Sequence, residues 1–184
     1  MKQNSAKKVD FQCIQKKELK EFIDSIKDIR DNLSIRILYE TGCTLIELVK
    51  IKANDVKNNS IAIEKGKAKR VSLISKNLFN DISGYINGNK LSQNSFIIST
   101  RQSSHISEKR VRQIIQKYAR QKKFKDFNPH MLRYCHVAHA YLDGVYQETI
   151  AAQLGINKLR VFQIISELNV IPENNFYCKF LNET

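Results

Sequence analysis

A histidine and an arginine, His130 and Arg133, are the residues whose types and spacing first suggest chemistry. Residues three apart on a helix emerge on the same side of it. A guanidinium that stays charged suits a phosphate oxygen when it lies beside an imidazole that can donate or accept a hydrogen bond. Taken alone, the pair is more simply explained by a buried histidine and a solvated arginine, so the neighbouring sequence has to decide.

The segment 128–144 is predicted to form the helix that holds this pair. Asn128 and Pro129 precede an apolar run, and Gly144 is a natural helix stop. The apolar residues of the run fall on one broad helical face. They are Met131, Leu132, Cys135, Val137, Ala138, Tyr141 and Leu142.

Two basic segments accompany this helix. The segment 60–74 alternates around a lysine-rich turn and is predicted to form a β-hairpin. The segment 108–123 is predicted to form a helix with a basic outer face. The candidate phosphate contacts on the two segments are Lys65, Lys67, Lys69, Arg70, Arg110, Arg112 and Lys117. Such contacts position a protein on DNA without reading its sequence. For any one of these charges, a solvated surface is the simpler interpretation.

The whole chain is basic. Its 184 residues contain 31 Lys and Arg against 18 Asp and Glu, which gives a formal net charge of +13. Such an imbalance favours an acidic partner, and nucleic acid is the commonest one. A hydrophobic content of 42% is typical of a globular protein large enough for one well-cored domain. A basic protein without an acidic partner remains the alternative.

Several functional classes are disfavoured by the sequence. The four cysteines are scattered without a CxxC pair, so we expect neither a zinc site nor a disulfide framework. There is no glycine-rich phosphate loop and no cluster of metal ligands, and we expect no cofactor and no metal. No apolar run approaches the ~18 residues of a membrane span, and the N-terminus lacks the apolar core of a signal peptide. We therefore expect a cytoplasmic protein with no membrane partner.

The remaining periodicity indicates a mostly helical chain. Helices are expected over 16–29, over 33–39, from 45 to just before 54, and over 76–86, with a short strand at 96–98. Together with the hairpin, these elements predict a mixed α/β fold, mostly helical, with a small antiparallel β-sheet.

Four segments, in this order, resemble the catalytic domain of the tyrosine recombinase family (phage integrase, Xer-like). Residues 38–56, LYETGCTLIELVKIKANDV, are similar to the family's segment that carries the first catalytic arginine. Residues 61–75, IAIEKGKAKRVSLIS, are similar to the family's hairpin that carries the catalytic lysine. The stretch that ends in the HxLRH box is similar to 95–144, and the nucleophile helix is similar to 148–164, ETIAAQLGINKLRVFQI. Each match is weak alone, but four in the right order indicate kinship.

The resemblance covers nearly the whole chain and implies its organisation. We expect a basic, disordered tail at 1–8 and a single tyrosine-recombinase-like catalytic domain over 9–184. No separate N-terminal DNA-clamping domain is expected.

The resemblance also implies a mechanism. In active members a tyrosine attacks a DNA phosphate, a 3′-phosphotyrosine forms and a 5′-hydroxyl leaves. Two arginines and a histidine stabilise the developing charge, and a lysine protonates the leaving oxygen. By position, Lys65 matches that lysine, His130 and Arg133 match the box, and Glu47 matches the acidic residue that supports the first arginine. Lys67 could substitute for Lys65.

Three positions of the family pattern are lost in this sequence. Thr44 stands in place of the first arginine, Ile156 in place of the second His or Trp, and Ile165 in place of the tyrosine. Losing one oxyanion donor typically costs about 10²–10³ in rate, and isoleucine has no nucleophilic atom. We therefore expect no catalysis by the arrangement of the family.

A displaced nucleophile is the alternative. Tyr177 lies 12 residues beyond Ile165 and could supply the missing hydroxyl. The simpler interpretation is that Phe176, Tyr177 and Phe180 pack as an aromatic C-terminal plug. Tyr177 would also leave Thr44 without a replacement, although Arg36, Lys50 or Arg101 could provide one in space.

The segment 148–168 also fits a helix-turn-helix. Gly155 lies at the turn, and Ile165 becomes a core residue of the second helix. The residues then available to DNA are Asn157, Lys158, Arg160 and Gln163. An ordinary helical hairpin would have the same spacing.

The sequence thus favours a DNA-binding protein of the recombinase fold that is unable to cleave. We expect it to act as an accessory, regulatory or architectural factor in recombination or integration of a mobile element. Its partners would be double-stranded DNA and either a second copy or a partner recombinase. The alternatives are an active recombinase that uses Tyr177, a helix-turn-helix regulator, and a protein-interaction module with incidental charge.

Overall fold

The computed structural model describes residues 14–66, 68–100, 105–124 and 127–170. These residues form eight α-helices and three β-strands. The helices are α1 (Lys16–Asp24), α2 (Ile29–Thr41), α3 (Leu45–Leu48), α4 (Lys76–Gly88), α5 (Glu108–Gln121), α6 (Pro129–Leu142), α7 (Gln147–Leu154) and α8 (Lys158–Glu167). The strands are β1 (Val56–Lys57), β2 (Ser60–Lys65) and β3 (Ala68–Leu73). The architecture has the mostly helical composition and the small antiparallel sheet that the sequence predicts.

The sheet is antiparallel, with the strands in the order β1-β2-β3. Strands β2 and β3 pair from Ser60 opposite Leu73 to Lys65 opposite Ala68. On β3 the polar side chains face inward and the apolar ones face outward. Ser72 is fully buried, while Val71 is 62% exposed and Leu73 is 67% exposed. The face of β3 that carries Arg70 and Ser72 is therefore the inner face.

Helix α2 is the central element of the main core. Asp28 caps its N-terminus by accepting a hydrogen bond from the Asp31 amide, and Gly42 ends it in the left-handed conformation. Its residues Ile35, Ile37 and Leu38 are fully buried. Helices α1, α3, α4, α5 and α6 all pack against it.

A second apolar cluster joins the C-terminal end of α6 to α7 and α8. Its buried residues are Val137, Ile150, Ala151, Leu154, Val161, Ile164 and Ile165. Because α6 contributes to both clusters, it links the α7–α8 pair to the main core.

Several predicted boundaries are wrong. The helix expected over 16–29 ends at Asp24, because Asp28 caps a new helix. The helix expected over 76–86 continues to Gly88. The strand expected at 96–98 is reduced to an isolated bridge between Lys52 and Phe96. The predicted tail at 1–8 lies outside the described residues. None of the helices that the structure describes is long and apolar enough to cross a membrane.

Candidate functional site

Arg70 and Glu47 form an ion pair inside the protein. Arg70 lies on β3 and Glu47 on α3, and their side chains are 12% and 5% exposed. Arg70 donates through Nη1 to Oε1 of Glu47 at 2.8 Å and through Nη2 to Oε2 at 3.1 Å. Two parallel charge-assisted bonds fix orientation as well as charge. Burial alone would raise the pKa of Glu47, but the bonds from Arg70 and from the Thr44 amide outweigh burial and lower this pKa.

The N-terminus of α3 holds Glu47 in place. The Thr44 hydroxyl accepts a hydrogen bond from the Glu47 amide at 3.3 Å, and the Thr44 amide donates to Oε2 of Glu47 at 2.8 Å. This reciprocal arrangement is a capping box. Thr44 thus has a structural role at the site, and it brings no positive charge there.

Arg133 reaches the same region from α6. Its Nη1 donates to the Gly42 carbonyl, and its Nη2 donates to the Leu154 carbonyl at 3.2 Å. Burial lowers the pKa of Arg133; the Glu47 charge opposes this effect and the Arg70 charge adds to it. Arg133 is therefore within electrostatic reach of both members of the ion pair.

The C-terminal end of α7 joins the two arginines. The Gln153 carbonyl accepts a hydrogen bond from Nε of Arg70 at 3.2 Å, and the next carbonyl is the Leu154 partner of Arg133. The last carbonyls of a helix lack donors within the helix, so the two guanidinium groups complete this end. Gly155 follows with φ +64°, and a Cβ at that position would lie 2.8 Å from Cδ of Arg70.

Gln153 connects α7 to the sheet. Its side-chain Oε1 accepts from the Leu73 amide at 2.9 Å, and its Nε2 donates to the Leu73 carbonyl at 2.7 Å. Its main-chain carbonyl accepts from the Ser72 hydroxyl at 2.8 Å. Sequence reasoning missed this residue, because one glutamine on a short helix carries no signal that would assign it a role.

The lysine and histidine that match the family pattern lie at exposed positions. Lys65 is the last residue of β2, and His130 lies in the first turn of α6, one turn before Arg133. Asn128 starts this helix by accepting hydrogen bonds from the amides of His130 and Met131. The structure therefore brings Arg70, Glu47 and Arg133 together, and it leaves Lys65 and His130 facing solvent.

The two isoleucines of the C-terminal region belong to the second apolar cluster. Ile165 is 7% exposed, on the inner face of α8. Ile156 is partly buried and packs against the same cluster.

The helix-turn-helix spacing is present as α7, Gly155 and α8, but its candidate DNA contacts are engaged within the protein. Asn157 caps α8 by accepting from the Arg160 amide at 2.8 Å. Lys158 pairs with Glu148. The Arg160 side chain bonds Glu167 at 3.0 Å and the Tyr134 hydroxyl at 2.7 Å, and it also contacts the fourth candidate, Gln163. The Lys158–Glu148 pair ties α8 to α7 and the Arg160–Tyr134 bond ties it to α6, while the other bonds lie within α8 and its cap.

The basic residues of α5 form an outer face. Arg110, Arg112 and Lys117 are exposed, while the apolar residues of the helix are buried. On the hairpin, Lys69 is half-exposed and lies 3.5 Å from Asp55 and 3.6 Å from Glu64.

Of the spatial replacements that the sequence suggested for the missing arginine, neither Arg36 nor Lys50 joins the ion pair, because Arg36 pairs with Asp81 and Lys50 is exposed. Arg101 lies outside the described residues. Lys67, Tyr177 and the rest of the predicted aromatic plug also lie outside the described residues. No group of three or more potential metal ligands occurs among the described residues.

The position of Arg70 differs from the expectation, because the sequence groups Arg70 with the exposed charges of the hairpin and the structure buries it against Glu47. The alternation of β3 gives a misleading signal about which face is buried. Arg70 shares its face with Ser72, whereas Lys69, Val71 and Leu73 share the other. The apolar pair at Val71 and Leu73 suggests that their face is the buried one, and the structure has the reverse.

The comparisons with known proteins agree on one family. The model of the phage integrase family matches residues 12–165. Among curated proteins, the tyrosine recombinase XerA of Pyrococcus horikoshii is 28% identical over 157 residues, which cover 82% of this chain and 55% of that protein. The crystal structure of XerA recombinase superposes with a TM-score of 0.76 at 19% identity, covering 86% of this chain and 63% of the other.

A further solved structure, of the XerH site-specific recombinase bound to its difH substrate before cleavage, gives a TM-score of 0.71 at 19% identity. It covers 83% of this chain and 49% of the other. The chain spans about half the length of the curated relatives that it matches.

Proposed function

This chain belongs to the phage integrase family, and from that premise we propose that it binds double-stranded DNA with a tyrosine recombinase fold and does not cleave it. Its role is that of an accessory, regulatory or architectural factor in DNA recombination or integration of a mobile element. It acts beside a second copy or a partner recombinase.

The burial of Ile165 is the observation that carries this proposal. The position aligned with the family's nucleophile is 7% exposed and packs with Val161 and Ile164 against α6 and α7. Covalent strand cleavage needs a nucleophilic side chain that reaches a phosphate. An isoleucine held in an apolar cluster offers neither the atom nor the access.

The phosphate-stabilising groups support the same conclusion. Thr44 caps α3 at the position of the first arginine, so a group that would stabilise the transferring phosphoryl oxygens is absent from that position. Removing one such donor costs about 10²–10³ in rate.

Duplex binding is supported by the charge of the chain and by the kind of protein that it resembles. The net charge is +13, and the exposed face of α5 carries five basic residues, Lys109, Arg110, Arg112, Lys117 and Arg120. Among proteins of the same fold, the Tn1549 transposon integrase was solved in complex with transposon right end DNA. We assign the DNA-facing charges of this chain to Lys65, to α5 and to the region of Arg133, and we keep Lys158 and Arg160 of α8, whose ion pairs are solvent-exposed, as further candidates.

The test combines binding with covalent trapping. A nicked suicide duplex drawn from the DNA that flanks the gene is incubated with the protein and with a Tyr177→Phe variant. Binding is measured over a series of salt concentrations, and adducts are detected on a denaturing gel. We expect salt-sensitive binding by both proteins and no covalent band.

Two results would contradict the proposal in different ways. A covalent band that disappears in the Tyr177→Phe variant would make the protein an active recombinase with a displaced nucleophile. Failure of both proteins to bind any duplex at low salt would remove DNA binding itself and favour an interaction with another protein.

A further inference from the structure

We infer that Arg70 and Arg133 together bind one phosphate of the DNA backbone, with Glu47 as the residue that positions Arg70. The inference rests on the proposed function and names a pair of side chains that would hold the duplex. Arg70, whose side chain is 12% exposed, thereby becomes a phosphate contact beside Arg133, rather than one of several exposed hairpin charges.

The charge balance of the cluster favours an anionic ligand. Glu47 is the carboxylate that bonds Arg70, and its charge also acts on Arg133. Two guanidinium groups thus share one carboxylate, which leaves one positive charge in excess. The partners of Arg133 among the described residues are the neutral carbonyls of Gly42 and Leu154. A largely buried charge without a counter-charge is costly, and an oxyanion would supply one.

The two guanidinium groups also lie close together. They bond the carbonyls of Gln153 and Leu154, which belong to consecutive residues. The Cα atoms of consecutive residues are about 3.8 Å apart, so the two side chains converge on one end of α7. The Arg70 charge also lowers the pKa of Arg133, so both cations lie at the same end of the helix, where one phosphate can contact both.

Both arginines retain hydrogen-bond donors that a phosphate could use. A guanidinium has five N–H groups. Within the described residues Arg70 uses three of them, through Nε, Nη1 and Nη2. Arg133 uses two, through Nη1 and Nη2. The donors left over can form charge-assisted bonds to a phosphate without breaking the bonds that hold the arginines in place.

Arg36 provides a matched control. It is also an arginine in an ion pair, with a side chain 18% exposed, but it lies on α2 and pairs with Asp81 rather than with the cluster. Replacing it removes the same charge and a comparable intramolecular contact. A phosphate role specific to Arg70 predicts different effects on DNA binding from the two substitutions.

The experiment measures the affinity of the full chain for a labelled duplex by fluorescence anisotropy across a salt series. The proteins are the wild type, Arg70→Gln, Arg70→Lys and Arg36→Gln. Removing a cation that neutralises one phosphate lowers the magnitude of the log–log salt slope by about 0.9. We expect this reduction for Arg70→Gln, with affinity about tenfold to a hundredfold weaker. Arg36→Gln should retain the wild-type slope.

Arg70→Lys guards against a variant that fails to fold, because it keeps the charge. A lysine contacts phosphate as a point charge but cannot make the bidentate bond to Glu47. It should therefore keep the slope and lose affinity. A merely structural role for Arg70 would reduce the fraction of active protein without changing the slope.

The outcomes separate this inference from the proposed function. If the wild type binds and Arg70→Gln keeps its slope, the inference is wrong and the proposed function stands. If Arg36→Gln and Arg70→Gln reduce the slope equally, the effect is one of general charge and the inference is again overturned. If the wild type does not bind the duplex, both fail.

Discussion

Gly155 ends α7 and lies directly against the Arg70 side chain. Its φ of +64° suits glycine, and an added Cβ would lie 2.8 Å from Cδ of Arg70, a side chain that Glu47 holds in place. We expect Gly155→Ala to destabilise the protein by about 1–3 kcal/mol, from the left-handed backbone and the steric contact. Urea unfolding followed by circular dichroism measures the change.

A second glycine supplies the opposite expectation. Gly84 lies inside α4, and a Cβ there would meet nothing within 4 Å. Gly84→Ala should therefore stabilise the protein by about 0.5–1 kcal/mol. If Gly155→Ala left stability unchanged or raised it, the conformational account of Gly155 would not hold.

At the residue scale, the sequence predicts which residue types belong to the site better than it predicts which of them contact each other. The helical spacing of His130 and Arg133 was readable, because both lie on one continuous helix. The partnership of Arg70 with Glu47 was not, because it joins a strand and a helix 23 positions apart. Such a contact depends on which face of β3 turns inward. The inward face carries the Ser72 hydroxyl and the Arg70 guanidinium, although the apolar Val71 and Leu73 lie on the other face.

The packing of α6 on α2 is the element-scale feature with a measurable pH dependence. His136 lies half-buried on α6, 6.2 Å from the ring of Tyr39 on α2, measured between ring centroids. Burial lowers the pKa of His136 to about 4; the charges of Arg133 and His139 act in the same direction, and a bond with the Tyr39 backbone opposes them. The folded protein thus keeps this imidazole neutral where the unfolded chain would protonate it.

The sign of the effect follows from proton binding. An unfolded histidine has a pKa of about 6.5, so between pH 6.5 and 4 the unfolded chain binds a proton that the folded protein does not. Stability should therefore be fully present above about pH 6.5 and fall as the pH is lowered, by up to about 3 kcal/mol from this residue. Urea unfolding at several pH values tests the slope.

His136→Gln should flatten that slope, because the variant has no group at this position to titrate. His105→Gln removes an exposed imidazole instead and serves as the control. An unchanged slope in His136→Gln would assign the acid sensitivity to other groups.

The boundary between α1 and α2 shows why apolar periodicity alone does not predict where a helix ends. The stripe of Leu19, Phe22, Ile23 and Ile26 continues past the end of α1, so a helix over 16–29 looked unbroken. The capping bond from the Asp31 amide to the Asp28 carboxylate starts α2 instead. A cap is a single local contact, and an apolar stripe that spans it conceals it.

At the scale of the whole molecule, the distribution of charge matters more than its sum. A net charge of +13 would attract DNA wherever the basic residues lie, but a docking face requires them to be grouped. Replacing Arg110, Arg112 and Lys117 together by Gln should lower the magnitude of the salt slope by about 0.9 for each phosphate that these residues neutralise. The same duplex titration measures it.

The control removes equal charge from another surface. Lys17, Lys20 and Lys27 are exposed on and just after α1, and their replacement by Gln should leave the slope within error of the wild type. Equal reductions in the two triple variants would mean that the protein has no preferred DNA-facing side.

The pairing of Gln153 with Leu73 has a consequence for self-association. Strand β3 lies at the edge of the sheet, where unpaired backbone groups commonly template the addition of a foreign strand. The glutamine side chain bonds both backbone groups of Leu73 and so takes the place of a neighbouring strand at that residue. An intruding chain would first have to displace α7. The exposed Val71 and Leu73 thus lie on an edge strand whose C-terminal end is already covered by α7, which hinders the addition of a strand from another molecule.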